Sequence, residues 1–220
     1  MFKHSRGLKY LISTLLLLLL LTTGGTALAH LPRMVMEDRL VQVKDPEISQ
    51  AFYGKLAGSN HIYEIQSDDE FLLYISILVP DLPAIETNIS ARVVQVDGDS
   101  TSETLALLDG ERHHWQEFFE PFAGDHYLEG PEFEKRVTPA LYRIEVFNPS
   151  LSGKYVLSVG KKEVFTLAET FHTIRTLPAL KRDFFEKSPL TAFFNLVGLF
   201  MLIAVAALAV PLYFLGRRFL

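Results

Sequence analysis

The 220-residue chain carries 26 acidic against 21 basic residues, contains no cysteine and is 49% hydrophobic. Its net charge of −5 argues against nucleic acid as a partner, which needs a basic face. Without a thiol it has no disulfide, thiolate metal centre or cysteine nucleophile, so an exported domain must be held by its apolar core alone.

Residues 1–29 have the layout of a secretory signal. Lys3, Arg6 and Lys9 form a basic start, Leu11 to Leu21 an apolar stretch, and Ala27-Leu28-Ala29 a small-x-small cleavage site. The apolar stretch is short for a membrane span, and Gly24-Gly25 interrupts it, so cleavage after Ala29 is expected; an uncleaved anchor is the alternative. At the other end, residues 191–215 run 25 residues without a charge before Gly216, Arg217 and Arg218. As a helix this run reaches about 37 Å, enough for a hydrocarbon core of about 30 Å. Asn195 is its only strongly polar side chain, and aromatic pairs sit near both ends. A buried helix of a soluble protein is the competing reading. The arginines place residues 216–220 in the cytoplasm and residues 30–190 outside. That outer part holds 16 of the basic and all 26 acidic residues, leaving it at about −10.

Residues 30–165 read as strands. HIYEIQS (61–67) alternates, and FLLYISILVP (71–80) is apolar on both faces, as a central strand would be. ISARVVQV (89–96) ends at Asp97-Gly98, a hairpin dipeptide, and TLALLDG (104–110) returns. ALYRIEVFN (140–148) aligns Tyr142, Ile144 and Val146 on one face, and KYVLSVG (154–160) aligns Tyr155, Leu157 and Val159. Short strands between turn signals predict an all-β fold: an antiparallel, jelly-roll-like sandwich with a C-terminal transmembrane helix and short juxtamembrane helices.

The stretch TPALYRIEVFNPSLSGKYVLSVG (138–160) resembles the closing hairpin of bacterial pre-peptidase C-terminal domains. Tyr142, Ile144, Val146, Gly153, Tyr155 and Leu157 fit that pattern, with Ala140 where the family usually has Gly. The resemblance implies a small sandwich and no catalytic residues. The exported part is also similar to membrane-anchored prokaryotic proteins, a likeness that implies no activity.

Residues 166–190 differ in character. Leu167, Phe171, Ile174 and Leu177 form a helical stripe, and Pro178 is expected to start a second short helix with Leu180 and Phe184 on one face. Two readings stand: an amphipathic segment on the outer headgroups, or a helix packed against the sandwich.

Two places invite chemistry. Cleavage after Ala29 would make His30 the first residue, and its α-amine, its Nδ1 and one further imidazole would make three nitrogen donors suited to Cu(II). This resembles the histidine brace of copper-binding exported proteins and lytic monooxygenases. Its plain alternative is that some residue must follow the cleavage site. The second place is residues 113–136, which gather His113, His114, Trp115, Glu117, Glu120, Asp125 and His126 among further aromatics. Prolines and glycines predict an irregular loop there, either binding or closing one end of the sandwich. His126 or His113 is the expected second ligand for His30, and His61 the fallback. Ser67-Asp68-Asp69-Glu70 and Asp97-Gly98-Asp99 carry oxygens but no calcium-loop spacing. No G-x-S-x-G or phosphate-binding glycine loop is present, so no catalytic residue is assigned. The expected function is a membrane-tethered, non-enzymatic binding or structural module, with a copper-binding protein as the alternative. Its expected partners are membrane lipid, through the C-terminal helix, and an outside protein or glycan.

Overall fold

Alternation along the strands needs a partner sheet to cover each apolar face, and two sheets supply it. The computed structural model describes residues 30–97, 101–164 and 166–219. The stretch read as a signal therefore lies outside the described residues, as does Gly98 of the Asp97-Gly98 turn. Among the described residues there are eleven strands: β1 (Leu31–Met36), β2 (Leu40–Gln42), β3 (Gln50–Ala57), β4 (His61–Ser67), β5 (Phe71–Pro80), β6 (Ser90–Asp97), β7 (Thr101–Leu108), β8 (Gln116–Glu120), β9 (Asp125–Val137), β10 (Ala140–Phe147) and β11 (Ser152–Val159).

One sheet runs β1-β3-β11-β5-β9-β8 and the other β2-β4-β10-β6-β7. Their pairings are antiparallel except at two edges, where β1 joins β3 and β2 joins β4 in parallel. The purely antiparallel expectation is thus corrected at the N-terminal end of the chain. From β3 to β6 the chain crosses the sandwich at every step, so consecutive strands face one another across the core instead of lying side by side.

The same crossing corrects the reading of residues 138–160 as a hairpin. β10 pairs with β4 and β6, whereas β11 pairs with β3 and β5 in the opposite sheet. The connection is held by Asn148, whose amide donates to the Ser152 carbonyl and whose Oδ1 accepts from the Ser152 N–H. Crossing turns both apolar faces inward. Tyr142, Ile144 and Val146 meet Tyr155, Leu157 and Val159 in one cluster, all six fully buried. Gly54 is required beneath them, because a Cβ there would stand 2.4 Å from the Tyr155 ring. The Tyr155 hydroxyl is 2.8 Å from both the Tyr63 hydroxyl and His61 Nδ1, so the polar atoms in this core are satisfied.

Residues 113–136 are not an irregular loop. β8 and β9 form the edge hairpin of the six-stranded sheet, and β9 extends over 13 residues. Gly130 and Pro131 sit where the β5–β9 register shifts, in the interval opposite Ile77. A bulge accepts proline, which has no N–H for the ladder, so the strand continues past it.

After the sandwich come helix α1 (Leu167–Ala179), a π-helical turn (Leu180–Phe184), a 3₁₀ turn (Pro189–Phe193) and helix α2 (Leu196–Phe219). Thr166 caps α1 by accepting from the Glu169 N–H. Pro178 lies inside α1 instead of starting a new helix, and the wider turn follows it at once. Helix α2 begins five residues into the apolar run. Asn195 caps it, with Oδ1 accepting from the Gly198 N–H at 3.1 Å. A Cβ on Gly198 would lie 1.7 Å from the Phe193 carbonyl, so glycine lets the preceding turn fold tightly onto the helix. Among the described residues no helix is long and apolar enough to cross a membrane. Most side chains of α2 beyond Ala206 lie outside that description.

The register makes a direct prediction. Replacing buried Ile144 by alanine should destabilise the chain by about 2–5 kcal/mol in urea unfolding. Replacing its neighbour Glu145, which points outward to Arg92 and Asn60, by glutamine should cost under about 1 kcal/mol.

Candidate functional site

A sheet face that carries apolar side chains must be covered, and the outer face of the six-stranded sheet carries Ala51, Tyr53, Leu78, Tyr127 and Val156. The C-terminal segment covers it. Leu177, Leu180, Phe184, Phe185, Ala192 and Val197 pack there as a second core, separate from the one between the sheets. Tyr53 meets Phe184 edge-on at 5.0 Å, and Tyr127 meets Phe185 edge-on at 5.3 Å. Of the two readings of residues 166–190, packing on the sandwich holds from Ile174 to Phe185. Leu167 and Phe171 remain 91% and 64% exposed.

At the rim of this second core lies its polar centre. The β8–β9 hairpin turns through residues 121–124, and the Glu120 carboxylate accepts the N–H groups of Phe122 and Ala123, each at 2.7 Å. Asp125, fully buried, follows the turn. Lys181 Nζ donates to Asp125 Oδ2 at 2.6 Å and to the Ala123 carbonyl at 2.7 Å, and Lys187 Nζ donates to Oδ1 at 3.1 Å. Lys181 is only 1% exposed. Asn195 Nδ2 donates to the same Ala123 carbonyl at 2.8 Å. One hairpin turn therefore grips the π-helical turn through Lys181 and the start of α2 through Asn195. Farther along, Arg33 forms a two-pronged pair with Glu169 at 2.9 and 3.0 Å, tying α1 to β1.

Burial is the largest influence on Glu120, Tyr53 and Tyr127, and it opposes their ionisation. Burial pushes the Glu120 carboxyl up, against the pull of its two N–H donors. Burial also pushes the Tyr53 and Tyr127 hydroxyls up; they share a hydrogen bond at 3.0 Å. Asp125, Lys181, Lys187 and Asn195 are each engaged by another part of the chain, and together they latch the sandwich to the helical segment. The arrangement holds two parts of the chain together.

The histidines are distributed otherwise. His30 Nδ1, the ring atom a brace would use, is 2.5 Å from the Ser49 hydroxyl. His61 lies in the first core, bonded to Tyr155. His113 is exposed beside Trp115, and His126 is exposed and lies against Phe119, the two rings tilted at 43° with centroids 4.8 Å apart. Among the described residues no three His, Asp or Glu side chains gather to hold a metal ion. Trp115 packs against the first core and donates to the Gly110 carbonyl, while Phe118, Phe122 and Tyr127 belong to the second.

A comparison with protein-family models gives no match, and neither does a comparison with curated proteins. Among solved structures, the chain is similar to the pre-peptidase C-terminal domain of collagenase from Bacillus anthracis. That match covers 56% of this chain and 95% of the other at 12% identity, with a TM-score of 0.34. The solved domain is of the kind that residues 138–160 resemble.

Asp125→Ala leaves Lys181 buried without a counter-charge and should cost about 3–5 kcal/mol; adding Lys181→Met should restore much of it. Acid should also act through histidine. Burial pushes His30 down to about 4 and lowers His61, whereas unfolded histidine titrates near 6.5. The unfolded chain then binds more protons below pH 6.5. The stability tied to the neutral rings is complete above that pH and is lost as pH falls toward the folded values. The urea midpoint should therefore drop between pH 6.5 and 5, and less so in His30→Gln.

Proposed function

We propose that this protein is an extracytoplasmic β-sandwich held on a membrane by helix α2, acting as a non-enzymatic structural or binding module. The observation that carries the reading is the latch: Asp125 and Ala123 of the sandwich hold Lys181 and Asn195, and Asn195 caps α2. A helix of 24 residues is about 36 Å long, and in the sequence the first charge after Leu196 is Arg217. The arginines behind it suit the cytoplasmic side. A flexible tether would let the domain wander. This attachment instead buries apolar side chains and an ion pair between the domain and the base of its helix, which favours a module presented at one height and tilt. The latch spends its buried charges on holding, which supports a non-catalytic role.

Because the chain has no cysteine, single cysteines report topology cleanly. In intact cells a membrane-impermeant maleimide should label Ser150→Cys and leave Gly216→Cys unlabelled until the membrane is opened. Intact mass of the extracted protein should begin at His30. Labelling of both positions without permeabilisation, or of Gly216→Cys alone, would overturn the proposed orientation.

A further inference from the structure

The latch fixes where the β8–β9 hairpin stands along α2, and that has a consequence for its tip. Val197 is buried in the second core, and Met201 packs against the same core together with Phe122 and Ala123 of the tip. Met201 lies five residues past the first residue of α2, about 7.5 Å farther along the axis. Gly124 is also close: a Cβ there would stand 3.2 Å from Asn195 Cβ. The hairpin therefore reaches alongside the first turns of the helix and does not stop above them.

We infer that the β8–β9 tip, Phe119 with residues 121–123, is a second membrane-contact site that rests in the outer leaflet of the bilayer beside α2. The inference rests on the reading of α2 as the anchor. If α2 enters lipid near Leu196, a loop packed on the core that holds Val197 and Met201 is carried to the boundary between headgroups and acyl chains. The tip is built for that depth. Phe119 is 51% exposed, Pro121 is exposed and Phe122 half-buried. Residues 121–124 carry no charge, and the Glu120 carboxylate is turned back onto the N–H groups of its own turn. The adjoining 3₁₀ turn and the residue that follows it show the same character, with Leu190 and Phe194 67% and 83% exposed. Aromatic and apolar side chains at that level gain by leaving water, as interfacial anchors do. Two contacts, one before α2 and one from a distant hairpin, would reinforce the tilt that the attachment to α2 favours.

The test uses the full chain in phosphatidylcholine vesicles, with an environment-sensitive fluorophore on one introduced cysteine. The positions are Pro121→Cys at the tip, Val205→Cys in α2 and Ser150→Cys in the β10–β11 connection. Spin labels are placed on the lipid either just below the headgroup or deep in the chain. The inference predicts that the Pro121 probe loses fluorescence to the shallow label, the Val205 probe to the deep one, and the Ser150 probe to neither. If the Val205 probe is quenched and the Pro121 probe is not, the anchor stands and the contact site is overturned. A Pro121 probe shielded from aqueous iodide yet unquenched by lipid would also overturn it, showing a protein neighbour at the tip. Loss of quenching at Val205 would overturn the anchor reading itself.

Discussion

Lys181 and Asp125 carry opposite charges into a site where neither meets bulk water, and the rest of the attachment depends on their doing so together. Each alone would cost several kcal/mol to bury, and together they are tolerated only because the remaining donors find acceptors. The Ala123 carbonyl and Asp125 take what Lys181 offers, and Lys187 takes the second carboxylate oxygen. The ammonium of Lys181 also stands 5.6 Å from the Phe185 ring, whose face favours a cation. Such a pair adds little net stability against an apolar replacement, but it rejects other placements. The π-helical turn cannot slide or rotate without leaving a charge unpaired. Geometry, more than strength, is what this interaction gives the fold.

The second core explains features that a simple sandwich would not need. In an ordinary two-sheet fold the outer face of each strand meets water, yet the central strands β5 and β11 of the six-stranded sheet bury both faces. Ile75, Ile77 and Leu157 face the first core, while Leu78 and Val156 face the helical cover. Covering that face with the C-terminal segment joins domain and helix by burial, the term that grows with area and needs no directed partner. The ion pair then sets the register that burial alone would leave loose.

Much of this was legible in the sequence, and the gaps have physical causes. The bounds of β4 and β5 follow directly from alternation and apolar length. The inward faces of β10 and β11 follow from the same period of two, although the pattern cannot say whether two strands are neighbours or opposites. Hence a hairpin was expected where the chain crosses between sheets. The double-faced apolarity of FLLYISILVP was itself the sign of a covered outer face. Residues 113–136 misled because Gly130-Pro131 mark a bulge within a long strand as readily as a loop. Asn195 stood out as the one strongly polar side chain of its apolar run, whereas Asp125 was one carboxylate among the histidines and acids of residues 113–136. Asp125 meets Lys181 across 56 positions of sequence and Ala123 meets Asn195 across 72, and no local period reports contacts at that range.

The helical segment belongs to the domain and is not a tether to it. Amide hydrogen exchange of the full chain in a membrane mimetic tests it directly, because protection reports the free energy of local opening. The account predicts that amides of residues 177–187 exchange as slowly as those of β9, and that Asp125→Ala releases the first group while leaving most of the second protected. Fast exchange of residues 177–187 in the unmodified chain, beside a protected β9, would contradict it.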